Sequence, residues 1–152
     1  MAEAVRQAVP RTIALGARIT GSDWLDGGLT AADAVLCAKT LKAAGFDYVD
    51  VSSGGVSPDA RTPTTPGYNV DIAEQVRATG IATRTVGLIV TAQQAETIVS
   101  EGKADMVALA RAVLDDPHWP WHAARALGAD IKRPNQYLRA ASAFWPGATM
   151  AS

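Results

Sequence analysis

The chain has 152 residues, of which 48% are hydrophobic and 19% are charged, and its formal net charge is −1. This length and composition are typical of one globular domain that buries its own core. The lack of a basic stripe argues against nucleic acid as a partner. No apolar run approaches the roughly 18 residues of a membrane span. The absence of an apolar leader favours a cytoplasmic location.

The first predicted unit is a strand followed by an amphipathic helix. Thr12–Ala17 predicts the strand, and the capping-box spacing of Thr30 and Asp33 predicts the start of the helix, which Gly45 ends. Its apolar stripe has helical spacing and consists of Ala34, Cys37, Ala38 and Leu41. Because Cys37 falls on this stripe, we expect a buried and unreactive thiol.

Three more units of the same kind follow along the chain. Strands are predicted at Phe46–Ser52, Ile81–Val86 and Ala104–Leu109. The first of the helices is predicted at Tyr68–Thr79. The second begins at a capping box of Thr91 and Gln94, ends at Gly102, and is expected to face inward with Ala95, Ile98 and Val99. The third begins at the Asp116 N-cap with Pro117 and ends at Gly128. This alternation predicts an α/β fold with a parallel sheet.

Four βα units in series are compatible with an open doubly wound sheet or with half of a TIM barrel, the (β/α)₈ fold. The strands show little polar alternation, as expected when both faces are covered. No G-x-G-x-x-G motif follows a strand, which weakens a dinucleotide-binding interpretation. A full barrel takes about 250 residues, so this chain would supply about half of one.

Small residues and arginines follow the predicted strands and outline an anion site. They are Arg18, Ser52, Ser53, Gly54, Gly55, Val86, Gly87, Ala110 and Arg111. Chemistry in parallel βα folds lies at the carboxyl ends of strands, where backbone N–H groups and arginine bind phosphate. Surface ion pairs and an ordinary turn remain the alternatives. His118 and His122 lack an HExxH motif, so no metal site is expected.

Several segments resemble, in the same order, the Old Yellow Enzyme family, nearest its xenobiotic-reductase-like branch. They are Arg18–Thr30 (RITGSDWLDGGLT), Asp50–Pro58, Pro66–Val70, Val86–Ile89, Ala104–Arg111, Asp116–Pro120 and Pro134–Ala140. The resemblance extends from about Arg11 to Ala141. It implies the C-terminal half of a TIM barrel, with units five to eight in residues 1–142 and a C-terminal tail in residues 143–152.

The resemblance also implies cofactors and site residues. FMN would be bound, NAD(P)H would be the reductant, and hydride would pass through FMN to a small molecule such as an activated alkene. Arg18 matches the catalytic arginine beside the flavin N1 and O2 edge, and Ser52 matches a position near the ribityl chain or phosphate. The phosphate cradle would be Val86, Gly87, Ala110 and Arg111. Arg139 matches an arginine that reaches a neighbouring subunit's active site on the substrate side.

Three positions depart from the family's pattern. Arg84 and Thr85 stand where small residues are usual, and would either crowd the flavin or line the barrel wall. Asn69 stands where glutamine is common. The family's histidine-containing substrate anchors and its tyrosine acid belong to the first four units. We therefore expect a complementary N-terminal half-barrel chain or a homo-oligomer, and no turnover by this chain alone.

Other functions remain open on the sequence. One alternative is a non-catalytic half-barrel that binds flavin or phosphate. Another is a truncated, inactive product, and a third is a phosphate-binding barrel half from another pathway. The ordered series of motifs argues against the third.

Overall fold

The fold was obtained as a computed structural model, which describes residues 1–149. The chain divides into two compact units, Met1–Pro117 and His118–Ser152. All four strands of the described residues belong to the first unit. The division into a half-barrel of residues 1–142 and a tail of 143–152 stays a prediction.

Strands and helices alternate in the first unit. The strands are β1 Gly16–Thr20, β2 Tyr48–Ser52, β3 Ala82–Thr85 and β4 Met106–Val107. The helices are α1 Ala2–Ala8, α2 Ala31–Ala43, α3 Val70–Arg77, α4 Ala92–Ser100 and α5 Arg111–Asp115. Each predicted strand is found, although β1 starts four residues later than predicted and β4 has only two residues. The sequence did not predict α1 or α5.

All strand pairs are parallel, and the strand order is β1-β2-β3-β4. A doubly wound sheet reverses its strand order at a switch point, whereas consecutive units of a barrel follow one another around it. The uniform order therefore agrees with the predicted TIM-barrel half and argues against the open alternative.

The register of the sheet places polar residues of different strands side by side. Arg18 pairs with Asp50, Asp50 with Arg84, and Arg84 with Met106, so one row crosses all four strands. Because side chains alternate along a strand, this row points to one face and its neighbours to the other. We call the face that carries the row the inner wall.

The other face of the sheet is the core of the unit. Ile19, Val49 and Val51 are buried there, and both valines are 0% exposed. Helix α3 contributes a second apolar set to the core, consisting of Val70, Ile72, Ala73 and Val76. Burying one such side chain stabilises the fold by about 1.5–3 kcal/mol. The helix-covered face thus fixes the sheet and, with it, the strand ends.

Two predictions about helix faces were wrong. Cys37 is exposed, and Val99 is 42% exposed although it was expected to face inward. Helix α2 buries Ala34 and Ala38, and α4 buries Ala92, Ala95 and Ile98. Successive residues turn by about 100° around a helix, so a narrow line of contact leaves the adjacent apolar positions in solvent.

The last predicted helix begins later than the sequence indicated. Asp116 is not its N-cap: Asp116 follows α5, and its N–H donates to the Ala112 carbonyl at 2.9 Å. Helix α6, Trp119–Ala126, instead has Pro120 in its first turn. The residue before Pro117 has an extended backbone, which proline favours at that position.

The second unit consists of α6 followed by short 3-10 helices at Asn135–Ala140 and Pro146–Thr149. The Trp121 ring packs against the rings of His118 and Tyr137, with centroids 4.6 and 5.2 Å away, and Arg133 lies over it at 5.0 Å. These contacts give His118 a packing role. Within residues 1–149, no helix is long and apolar enough to cross a membrane.

Candidate flavin site at the strand ends

A cavity of about 220 Å³ lies at the carboxyl ends of the strands. All six residues that the sequence predicted as a flavin site within the first unit line it: Arg18, Ser52, Val86, Gly87, Ala110 and Arg111. Arg139, the predicted substrate-side residue, lies exposed in the 3-10 helix Asn135–Ala140 of the second unit. The structure therefore brings together residues that are up to 93 positions apart in the sequence, Arg18 and Arg111.

Two contacts with residues of β2 hold the Arg18 guanidinium near the carboxyl ends of β1 and β2. Its Nη2 donates to Ser52 Oγ at 2.5 Å, and its Nη1 lies 3.4 Å from Asp50 Oδ2. Its side chain nevertheless remains 66% exposed. Arg18 is thus held in place by β2 while much of its guanidinium stays open to solvent, and this arrangement allows contact with an anionic group.

Arg111 opens α5 on the other side of the cavity. Its guanidinium is exposed and has no ion-pair partner among residues 1–149. An arginine in this state can use all of its N–H donors on a phosphate, which favours a charge-assisted bidentate pair.

A chain of hydrogen bonds ties three strand ends together beneath the cavity. Trp24 Nε1 donates to Ser53 Oγ at 2.8 Å, and Ser53 Oγ donates to Asn69 Oδ1 at 2.6 Å. Asn69 Nδ2 then donates to the Val86 carbonyl at 2.8 Å. Asn69 is completely buried, so these bonds satisfy an amide that would otherwise be costly to bury.

The sequence missed this role of Asn69, which it marked only as a departure from the family. Asn69 precedes α3, where an asparagine usually caps the helix, but its side chain makes no cap hydrogen bond. Nothing in the local pattern distinguishes the two roles. Tyr68 was missed in the same way: it stands before a helix but lines the cavity.

The loop after β3 has an unusual backbone. Gly87 has φ 126° and Leu88 has φ 51°, a left-handed value that costs a non-glycine residue energy. A Cβ atom on Gly87 would lie 2.9 Å from the Tyr68 ring and 3.0 Å from the Asn69 amide. Only glycine fits there, and the close approach of Tyr68 and Asn69 explains why.

Gln94 holds the same loop from α4. Its side chain accepts from the Val90 N–H at 3.0 Å and donates to the Leu88 carbonyl at 3.1 Å. The predicted capping box is therefore only half formed. Gln94 N–H bonds Thr91 Oγ1 at 3.1 Å, while the carboxamide bonds the loop.

Arg84 lies on the inner wall and does not line the cavity. Its Nε donates to Asp50 Oδ1 at 3.1 Å, and its guanidinium lies 5.5 Å from the centre of the Tyr48 ring. The hydrogen bond to Asp50 raises the pKa of Arg84 above its usual value. Of the two interpretations of the Arg84 departure, the structure supports a residue that lines the wall.

Residues 1–129 match the model of the NADH:flavin oxidoreductase / NADH oxidase family. The chain belongs to this family. It is 48% identical over 123 residues to an NADPH dehydrogenase of Geobacillus thermodenitrificans and 44% identical over 124 residues to one of Halalkalibacterium halodurans. These alignments cover 80% and 81% of the chain and 36% of each relative, so the chain spans about a third of their length.

A solved structure of morphinone reductase shares the fold. The match has a TM-score of 0.52 at 24% identity and covers 79% of this chain and 31% of the other. Family membership confirms the resemblance to flavin oxidoreductases and identifies FMN and a nicotinamide nucleotide as the cofactors of the family. The individual flavin contacts of this chain stay predictions.

The donor set of the cavity fits the polar groups of FMN, which are its phosphate and the N1 and O2 edge of its ring. Two guanidinium groups and two serine hydroxyl groups line it, and no carboxylate does so among the described residues. Whole-ligand pockets usually measure about 300–1,000 Å³, which is larger than this cavity. The chain alone therefore offers space for only part of the cofactor.

Proposed function

We propose that this chain is the FMN-binding part of an NAD(P)H-dependent flavin oxidoreductase of the ene-reductase type. The observation that carries this proposal is the strand-end cavity. It is lined by Arg111, whose guanidinium has no ion-pair partner among the described residues, and by Arg18, whose side chain is 66% exposed. Because the chain spans 36% of its relatives, the complete reaction requires barrel units beyond it.

Each residue would have a distinct task. Arg111 would bind the phosphate, with Val86, Gly87 and Ala110 lining the same pocket and Ser52 near the ribityl chain. Arg18 would face the N1 and O2 edge of the ring, where a cation stabilises negative charge. When bound, FMN would supply the chemistry of accepting hydride from NAD(P)H and passing it to an activated alkene.

Binding of FMN to the purified chain is the direct test, measured by the quenching of flavin fluorescence. Replacing Arg111 with methionine (Arg111→Met) should weaken binding about tenfold or more, because a charge-assisted contact contributes about 1.5–3 kcal/mol. Arg61→Met removes the same charge from an exposed loop and should leave the affinity unchanged. Equal affinities of the two variants would remove Arg111 from the site.

The missing units would come from a complementary half-barrel chain or from a second copy of this chain. Strands β1 and β4 are the two edges of the sheet, and the inner wall between them is partly exposed. Barrels close by pairing such edges. Light scattering should therefore give a dimer or larger species. A monomeric mass together with a cooperative melt would contradict this prediction.

A flavin- or phosphate-binding half-barrel without turnover is the second candidate. Its support is that no histidine is among the described residues that line the cavity, so the cavity lacks the family's substrate anchors. A chain that retains FMN but does not oxidise NADPH, even when the N-terminal barrel units of an NADPH dehydrogenase relative are supplied, would favour this candidate over the enzyme.

A further inference from the structure

Two arginines share one buried carboxylate on the inner wall. Arg18, Asp50 and Arg84 are register neighbours on three adjacent strands. The Asp50 side chain is 3% exposed, with Arg84 Nε 3.1 Å from one oxygen and Arg18 Nη1 3.4 Å from the other. Two cations and one anion leave this group of three side chains with one net positive charge.

The two arginines are not equivalent partners of Asp50. Arg84 makes the shorter contact, lies against the Tyr48 ring and is 35% exposed, whereas Arg18 is 66% exposed. Short charge-assisted bonds with a stacked guanidinium are the stronger kind. Arg84 is therefore the main counter-ion of Asp50.

Arg18 makes its shorter contact elsewhere, at 2.5 Å to Ser52 Oγ compared with 3.4 Å to Asp50 Oδ2. It donates to Ser52 at the strand end and lines the cavity there. It also lines a second cavity of about 250 Å³ beside β1 and β2, which includes Thr20 and Gly54. If Asp50 had no other counter-ion, it would draw Arg18 into a neutral pair, because a buried carboxylate is costly without a cation. The second arginine removes that demand.

We propose that Arg84 is a positioning residue that holds Asp50 so that the charge of Arg18 stays available to an anionic group at the strand ends. The identity of that group as the flavin edge rests on the proposed function. Arg84 itself touches neither cavity and acts through Asp50.

The test uses inorganic phosphate as the anion and the Arg18 Nε–H signal in ¹H–¹⁵N NMR spectra as the readout. Arg84→Met keeps the length of the side chain and removes the charge, and should weaken phosphate binding at Arg18 about fivefold. The matched control is Arg77→Met on α3, which removes the same charge from an ion pair with Asp105. Its affinity should stay within about twofold of the wild-type value.

Two further variants separate position from fold. Arg84→Lys keeps the charge and should recover most of the affinity. Arg84→Gln keeps a donor for Asp50 without the charge and should bind as weakly as Arg84→Met, so it carries the test if the methionine variant does not fold. Asp50→Asn combined with Arg84→Met should restore binding, because no carboxylate then competes for Arg18.

The proposal is overturned if phosphate does not shift the Arg18 signal of the wild-type chain, or if Arg84→Met and Arg84→Gln bind as the wild type does. FMN retention by the wild type is measured in parallel. An Arg84-dependent phosphate response in a chain that does not retain FMN would count against the proposed function and leave the role of Arg84 standing.

Discussion

The two faces of the sheet differ in what they need. The face covered by helices buries Ile19, Val49 and Val51 against side chains of the same chain. The inner wall instead carries the row of Arg18, Asp50 and Arg84, and two members of that row remain open to solvent.

The helix-covered face therefore stabilises the fold, whereas the inner wall is available to bind a ligand or another protein surface. Apolar burial on the covered face needs nothing outside the chain. On the inner wall, the two arginines mainly offset the cost of burying the Asp50 carboxylate, and their exposed parts contribute little stability because water competes for them. Substitutions on the two faces should therefore have different consequences.

The largest expected effect concerns catalysis. The chain with added FMN and NADPH should not reduce cyclohexenone or maleimide at an ordinary enzyme rate of about 1–10 s⁻¹. His118 and His122 belong to the second unit, and none of the described cavity-lining residues is a histidine that could hold an acceptor. Losing positioning and acid–base groups costs several powers of ten in rate. Turnover at the ordinary rate would mean that the inner wall builds its own acceptor site.

A carboxylate introduced on the helix-covered face should destabilise the chain far more than one introduced on the inner wall. Val49→Asp puts an unpaired charge at a position that is 0% exposed, and should destabilise the chain by about 4 kcal/mol or more. Ala82→Asp lies on the inner wall in β3, where the residue is exposed, and should change stability by less than about 0.5 kcal/mol. Urea unfolding measures both, and equal losses would show that the inner wall is also part of the core.

Removing the amide beneath the cavity should have an intermediate effect. Asn69→Leu keeps the approximate size but leaves the Val86 carbonyl and the Ser53 hydroxyl without their partner, at a cost of about 1–3 kcal/mol. Gln75→Leu changes an exposed amide on α3, the helix that follows Asn69, and serves as the control. If the two variants have the same melting temperature, the hydrogen-bond chain does not stabilise the strand ends.

The smallest expected effect lies in the helix layer and depends on pH. Hydrogen bonds from the Thr30 hydroxyl and N–H lower the pKa of Asp33 below its ordinary value of 3.8. A lowered pKa means that the folded state binds the proton less tightly than the unfolded state. The stabilisation is therefore present above pH 3.8 and is lost as the pH falls through the folded-state pKa. Asp33→Asn should flatten this part of the stability profile, and a profile identical to that of the wild type would show that the cap contributes nothing.

Local chemistry accounts for the elements that were predicted correctly. The Thr30 and Asp33 capping contact formed as expected, and each predicted strand appears at or near its place. These features depend on residues within a few positions of one another. Helix α1 was not predicted. Its buried residue Arg6 bonds Asp47, which is 41 positions away and outside any local pattern.

The sequence by itself determined the order of the four strands and of the helices that follow them except α1 and α5, the family, and which residues stand at the strand ends. Only the tertiary structure decided that Arg84 turns to Asp50, that Asn69 bonds Val86, and that Cys37 faces solvent. The physical reason is separation along the chain. Arg84 and Asp50 are 34 positions apart, and their contact exists only because β2 and β3 pair in one particular register.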